Sequence, residues 1–285
     1  MKVAVTAASG RLGSEIVRAL IEHPSAPEVV GLARTPGHAE HLGVEVRPGG
    51  YDNPGELQDS LDGVDAVLLV SGMDAPDKRI GQHRNVIAAA TEAGVARIVY
   101  TSIQGAEEAT AFSPVVQSNR QTEADVRDSG LDWVIGRNGI YIEADVDYVD
   151  TYVQEGGIRN CAGEGRCGYT TRPELAKAYA QMLTDGRHDG RTYNLHGEAI
   201  TQYQLAEYLN SAFGTHLEYT PIGVEEYRAD RTAALGEFMG SVISGIYEGI
   251  RRGALDNPSD FREAAGRAHI DWATYFARVA GSPGS

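Results

Sequence analysis

The stretch from Val3 to Gly13, Val-Ala-Val-Thr-Ala-Ala-Ser-Gly-Arg-Leu-Gly, is the strongest constraint on what this chain can become. A β-branched apolar run leads through a turn of small residues straight into a segment whose Leu12, Ile16, Ala19 and Leu20 share one helical face. The backbone N–H groups at such a helix start have no partner within the helix, and the helix dipole favours an anion there. Gly10 permits close approach of a pyrophosphate, and Gly13 lets the helix pack on the strand. The pattern predicts a nucleotide phosphate at this turn. Taken alone, an ordinary strand-to-helix turn of small residues is the competing explanation.

The rest of the first half supports the nucleotide. Residues 3–5, 29–33, 66–70, 98–100 and 133–135 are short apolar runs with polar or glycine-containing flanks, as strands buried in a parallel sheet require. Helical patterns lie between them, one of them placing Val86, Ala89, Ala90 and Ala93 together before Gly94, a natural stop. Strands alternating with helices imply right-handed βαβ units and a doubly wound α/β sheet. After about residue 156 the pattern changes. A helix over 173–183 with proline in its first turn, a short strand at 193–195, and a helix from an N-cap at Thr201 to Phe213 are expected. Helices over 224–235 and 237–252 follow, then a turn at 256–259 and two shorter helical pieces. The division expected is a Rossmann-like domain over 1–156 and a smaller, mainly helical lobe over 157–285, with some chain crossing back to the sheet. Residues 281–285 are expected to be disordered.

Charge narrows the partners. With 25 Lys+Arg against 40 Asp+Glu the net charge is −15, which speaks against nucleic acid and against an anionic membrane surface. No apolar run exceeds five residues, far below the ~18 that span a bilayer, and the first ten residues have no signal-peptide character. Cys161 and Cys167 cannot form a disulfide framework or a complete zinc site, so free thiols in a reducing cytoplasm are expected. The partner expected is a small-molecule acceptor, and a homodimer is compatible with the chain.

At the end of the second strand, Arg34 stands where a carboxylate would accept both hydroxyls of an adenosine ribose. A guanidinium matches a 2′-phosphate instead, which makes NADP(H) the expected cofactor; a solvated surface arginine is the plain alternative. Across nearly the whole chain, TAASGRLG, GLARTP, Tyr51-Asp52, LLVSG, QHRNVIAAA, VYTS, GRNGIY, Thr171-Arg172, TYNL and IYEGIRRGAL occur in order. In these motifs the sequence resembles the NmrA-like group of atypical short-chain dehydrogenases/reductases, most of all type-2 NADPH:quinone reductases and triphenylmethane reductases. The resemblance implies a Rossmann sheet carrying NADP(H) along its carboxyl edge, with a small C-terminal substrate lobe. It implies that Thr6, Ala8, Ser9, Gly10, Arg11 and Leu12 form the phosphate turn, that Arg34 meets the 2′-phosphate, and that Ser71 and Gly72 lie by the adenosine ribose. It places Thr101, Ser102, Asn138, Gly139 and Tyr141 around the nicotinamide, with Ser102 and Tyr141 as candidate catalytic residues. The activity implied is hydride transfer from NADPH to a quinone, dye or similar conjugated acceptor.

Two departures stand out. The turn has Ala7 where the group usually has glycine, which costs about 1 kcal/mol or more if φ there is positive. The Tyr-x-x-x-Lys pair of typical short-chain reductases falls at Val115 and Asn119, and neither supplies a proton at neutral pH. A non-catalytic NADP(H)-sensing regulator and a dedicated reductase or isomerase of specialised metabolism are therefore the alternative functions. His83 reads as structural rather than as an acid, Tyr141 as either a donor to substrate or a pocket wall, and Arg172 as facing the cofactor or pairing near Glu174. The acidic run from Glu143 to Asp150 reads as a solvated face, and His188 as a lone loop histidine.

Overall fold

The computed structural model describes residues 1–281. Seven parallel strands form one sheet: β1 (Lys2–Val5), β2 (Glu28–Ala33), β3 (Glu45–Pro48), β4 (Ala66–Leu69), β5 (Arg97–Ile103), β6 (Asp132–Asn138) and β7 (Arg191–Leu195). Their order is β7-β6-β5-β4-β1-β2-β3, so the connectivity reverses between β1 and β4. In a doubly wound sheet the crevice at that reversal, outside the carboxyl ends of the strands, takes the ligand.

The strands are apolar on both sides because both sides are covered. Val3, Val5, Leu68, Val99 and Val134 face α1 (Arg11–Ile21), and their side of the sheet is completed by Leu175, Ala178, Tyr179 and Met182 of a later helix. Ala4, Val30, Leu32, Val67, Ile98 and Ile135 face the opposite layer, α2 (Pro54–Ser60), α3 (Pro76–Glu92) and α4 (Ser113–Arg127). The expected strands are all present, four of them slightly longer than expected and β4 one residue shorter, and α3 ends as foreseen just before Gly94, which has φ +73°.

The later helix, α5 (Arg172–Thr184), packs on the same side as α1 with proline in its first turn, and Thr171 caps it by accepting from Glu174 N–H. The strand expected at 193–195 is β7, which pairs with β6 as the edge of the main sheet. The open edge is covered: Asn194 N–H donates to the Asp260 carboxylate at 2.8 Å, and Asp260 N–H returns a bond to Asn194 O at 2.9 Å. Residues 172–195 thus belong physically to the sheet.

The remaining chain builds the lobe. Its core joins Ile142, Ile158, Tyr169, Leu205, Leu209, Trp272 and Phe276. Its helices are two short ones at Glu143–Asp147 and Val149–Glu155, then α6 (Gln202–Phe213), α7 (Val224–Leu235), α8 (Glu237–Arg251) and α9 (Trp272–Gly281). A short helix at Phe261–Ala265 packs back on α5 and β7, with Phe261 and Ala264 in the sheet core. Thr201 caps α6 in a full capping box with Gln204. Gly281 closes α9, against the expectation of disorder there; residues 282–285 lie outside the described residues.

The acidic run is a second correction. Glu143 is part-buried and accepts from Arg172 N–H at 2.7 Å. Asp145 is buried, accepting from the hydroxyls of Tyr152 at 2.7 Å and Tyr247 at 3.4 Å. Tyr247 is distant in sequence and Tyr152 lies on the next helix, so charge pattern alone could not reveal them.

Burial pushes the Asp145 carboxyl up to about 6 from 3.8, against the pull of the tyrosine hydroxyls. The folded protein then holds a proton that the unfolded chain releases, a contribution present below the unfolded value and lost as pH rises through the folded one. Asp145→Asn, which keeps an oxygen for both hydroxyls, should raise stability at pH 8 by on the order of 1–3 kcal/mol and change little at pH ~4. Denaturant titrations at both pH values check this; equal effects would show that the proton is not held.

Candidate functional site

The phosphate turn follows β1. Ala7 has φ +49°, in the left-handed region that favours glycine, and its carbonyl accepts from Gly10 N–H at 2.9 Å. Gly10, the N-cap of α1, carries no side chain to cap the helix. The first-turn N–H groups of α1 therefore have neither an intrahelical partner nor a side-chain cap. A Cβ on Gly13 would lie 2.3 Å from the Ala7 carbonyl oxygen, so only glycine lets α1 sit this close under the turn. Ser9, Gly10 and Arg11 are exposed, while Ala8 and Leu12 are buried beneath them. Arg11 is 3.5 Å from Asp147 in a fully solvated pairing.

Thr6 plays a different part from the one expected. It is buried, and its hydroxyl accepts from Val70 N–H at 2.9 Å and meets the Tyr51 hydroxyl at 2.5 Å, while Tyr51 donates to Val70 O. Its side chain builds the floor of the crevice. Ser71 N–H donates to Thr101 Oγ1 at 2.8 Å, and Gly72 N–H donates to His83 Nε2 at 2.9 Å. With Nε2 accepting, the proton of His83 sits on Nδ1, 2.9 Å from the Thr122 hydroxyl. Burial, with Arg79 nearby, pushes the imidazole down to about 3. His83 is a neutral brace for the Ser71–Gly72 loop.

At the end of β2, Arg34 is exposed and forms no hydrogen bond or salt bridge among the described residues. Its charge reaches Asp74, whose carboxyl is held low first by Gln82 and Lys78 and then by Arg34. Lys78 bridges Asp74 at 3.2 Å and Asp52 at 3.7 Å.

Asn119, at the position that the sequence alone assigns to the lysine, is a structural hub. Its Oδ1 accepts from Tyr100 at 2.6 Å and Ser71 at 3.1 Å, and its Nδ2 donates to Val115 O at 2.8 Å. Ser102 departs from expectation. Its neighbours Tyr100 and Ile98 point toward α4, and so does its hydroxyl, which donates to the buried Glu123 carboxylate at 2.7 Å. Strand alternation turns Ser102 to the helix layer, and a signal for this would have required knowing that Glu123 lies opposite.

Beyond β6, a directed chain of hydrogen bonds emerges. Tyr179 of α5 donates to Asn138 Oδ1 at 2.6 Å, and Asn138 Nδ2 donates to the Tyr141 hydroxyl oxygen at 3.2 Å. The Tyr141 proton is thereby left free for an outside acceptor. Burial raises the Tyr141 phenol above its ordinary value, opposed by Asn138 and by Arg172. Arg172 lies over its ring at 5.0 Å and pairs with Glu143, not with Glu174. Two glycines of the GRNGIY motif are sterically required: a Cβ on Gly136 would meet the Tyr179 hydroxyl at 2.4 Å, and one on Gly139 the Gly168 carbonyl at 2.1 Å. Tyr179 is the participant that the sequence did not disclose. His188 is buried against the Tyr193 hydroxyl at 2.9 Å.

A Rossmann crevice with an uncapped, glycine-bearing helix start and a free guanidinium at the second strand fits a phosphorylated dinucleotide. This defines a nicotinamide-nucleotide-dependent enzyme class. A protein-family model described as NAD(P)H-binding matches residues 7–186, and the chain belongs to that family. It is similar to quinone oxidoreductase 2 of Escherichia coli (strain K12), with 30% identity covering 90% of this chain and 91% of that protein. It is also 30% identical to a (4-alkanoyl-5-oxo-2,5-dihydrofuran-3-yl)methyl phosphate reductase of Streptomyces griseus, over 88% of this chain and 86% of that one. Among solved structures, the Escherichia coli NADPH-dependent quinone oxidoreductase complexed with NADPH superposes with a TM-score of 0.89 at 28% identity, covering 97% of this chain and 99% of that one. The Citrobacter sp. triphenylmethane reductase complexed with NADP(H) gives 0.88 at 30%, covering 98% and 100%.

The strain at Ala7 is testable. Ala7→Gly should stabilise the fold by about 1 kcal/mol, read as a higher midpoint in urea. A destabilised variant would mean that the turn is relaxed with alanine.

Proposed function

We infer that this protein is an NADPH-dependent oxidoreductase that delivers hydride to a quinone, a dye or another conjugated small molecule. The observation that carries the reading is the pairing of an unblocked phosphate turn with Arg34, an arginine free of any salt bridge among the described residues. In this reading Ser9, Gly10, Arg11 and Leu12 hold the pyrophosphate through backbone N–H groups, with Ala8 packed below. Arg34 holds the 2′-phosphate, the Ser71–Gly72 loop flanks the adenosine ribose, and Thr101, Asn138, Gly139 and Tyr141 border the nicotinamide. Thr6 and Ser102 support these residues from behind. The bound nicotinamide would supply the hydride; the protein's work is to hold the two reactants in contact.

Tyr141 is the side chain proposed to meet the acceptor. The Tyr179–Asn138 pair fixes the direction of its hydroxyl, so its proton faces outward at no cost when an acceptor oxygen arrives. Val115 and Asn119 contribute no acid, and an electron-poor acceptor can complete its reduction with a proton from water. The quinone- and dye-reducing relatives favour this over a purely sensing role. Among the described residues no helix is long and apolar enough to cross a membrane. The free, buried Cys161 and Cys167 suit a reducing, cytoplasmic compartment. The net charge of −15 disfavours nucleic acid as a partner.

A panel of quinones and triphenylmethane dyes, followed by loss of NADPH absorbance, should show turnover; tight NADPH binding with no turnover by any acceptor would instead support the sensor. Arg34→Asp should weaken NADPH binding by on the order of 10- to 100-fold and leave NADH nearly unchanged. Equal affinities of the parent protein for the two nucleotides would sink that assignment.

Tyr141→Phe should lower kcat by about tenfold or more without altering the KM for NADPH. Ser102→Ala should keep kcat within about twofold while costing about 1–3 kcal/mol of stability, because Glu123 loses a buried donor. The reverse pattern would move the chemistry to Ser102.

A further inference from the structure

On the helix-α4 side of the sheet, past the carboxyl ends of β5, β6 and β7, lies a polar cleft of roughly 240 Å³. Its walls carry Gln104, Glu107, Arg120, Arg137, Asn194 and Asn257, none of which belongs to the nucleotide crevice. Behind it sits the buried Glu123, ringed by Arg120, Arg127 and Arg137 at 2.8, 3.0 and 2.6 Å. Arg137 uses Nε and Nη2 on Glu123, and Arg120 uses Nε on Glu107 and Nη1 on Ser102, Ile103 and Glu123. One nitrogen of each guanidinium, Nη1 of Arg137 and Nη2 of Arg120, is left without an acceptor among the described residues. Gln104 is 1% exposed, and its Nε2 is a buried donor with no partner, although its Oε1 accepts from Asn257.

The two lining arginines, Arg120 and Arg137, are balanced in charge by Glu123 and the largely solvated Glu107, yet neither carboxylate engages Nη1 of Arg137 or Nη2 of Arg120. A buried donor without an acceptor costs about 1–3 kcal/mol, and such a group calls for an explanation. We propose that this cleft is a second binding site, for a phosphate or carboxylate group, held by Arg120, Arg137 and the Gln104 amide. The space is several times the ~30 Å³ share of one water, enough for an oxyanion with accompanying water. Charge-assisted bonds from planar guanidiniums are the interaction such a group selects. The site is mechanically joined to the nicotinamide end of the crevice: Gln104 N–H donates to Asn138 O at 3.0 Å, and the same Asn138 orients Tyr141. An anion seated here therefore pulls on the segment that positions the acceptor.

The experiment titrates inorganic phosphate and malonate, with chloride as control, into protein saturated with NADPH so that the nucleotide's own phosphate sites are filled. Heat of binding reports occupancy. Saturable binding is expected, weakened about tenfold or more by Arg120→Gln. Arg120 also braces β5, so Glu107→Gln is the second variant; Glu107 is largely exposed, and removing its competing charge should tighten binding several-fold. Saturation by phosphate but not malonate would assign a phosphate group, and the converse a carboxylate. No saturable binding of either anion, or the same affinity in all three proteins, would overturn the proposal.

Discussion

Where β1 and β4 part company, the sheet must open without leaving backbone groups stranded. Val70 lies just past β4, too far along for the β1 ladder to reach, yet it is nearly inaccessible to water. Thr6 Oγ1 accepts its N–H, and the Tyr51 hydroxyl donates to its carbonyl. Two side chains thus replace the strand that is missing, and an unpaired peptide there would carry the full desolvation cost of a buried polar group. The crevice exists because this knot holds its floor closed. The phosphate turn on one side and the Ser71–Gly72 loop on the other both hang from it.

The same logic repeats outward from the knot. Ser71 N–H is taken by Thr101, Gly72 N–H by His83, and the Ser71 hydroxyl by Asn119. The Ser71–Gly72 loop is thus pinned by side chains from α3, α4 and β5. Asn119 locks this loop to α4 by accepting from both Ser71 and Tyr100. A lysine there would bring a charge into a site that is 2% exposed and already fully hydrogen-bonded.

The sheet, the helices and the phosphate turn were legible because each is governed by neighbours in sequence: two-sided burial marks the strands, and Gly10 and Gly13 mark the helix start. The positive φ of Ala7 was foreseen only as a condition, since one-letter code carries no dihedral. Ser102, Asp145 and Tyr179 were misread or missed for a shared reason. Their partners are Glu123, the tyrosines at 152 and 247, and Asn138, and those meetings depend on how helices settle on the sheet. Arg172 illustrates the limit well: its true partner, Glu143, lies 29 residues away in the lobe, while the sequence neighbour Glu174 is engaged by Arg267 at 2.8 Å.

Net charge also changes meaning once positions are known. The value of −15 is the same wherever the charged groups sit, so the total alone says little about where an anion can dock. At physiological ionic strength, fields from exposed carboxylates fade over about 8 Å, leaving a bound phosphate to feel mainly the groups that touch it. Many of the protein's arginines are spent on carboxylates, as in the pairs Arg84–Asp125, Arg97–Asp189 and Arg191–Glu263. Arg34 is not, and neither are the outer nitrogens of Arg120 and Arg137. Unpaired cationic nitrogen occurs elsewhere among the described residues too, as at the exposed Arg262. What separates an anion site from the surrounding surface is such nitrogen placed beside further donors, the α1 N–H groups in one case and the Gln104 amide in the other.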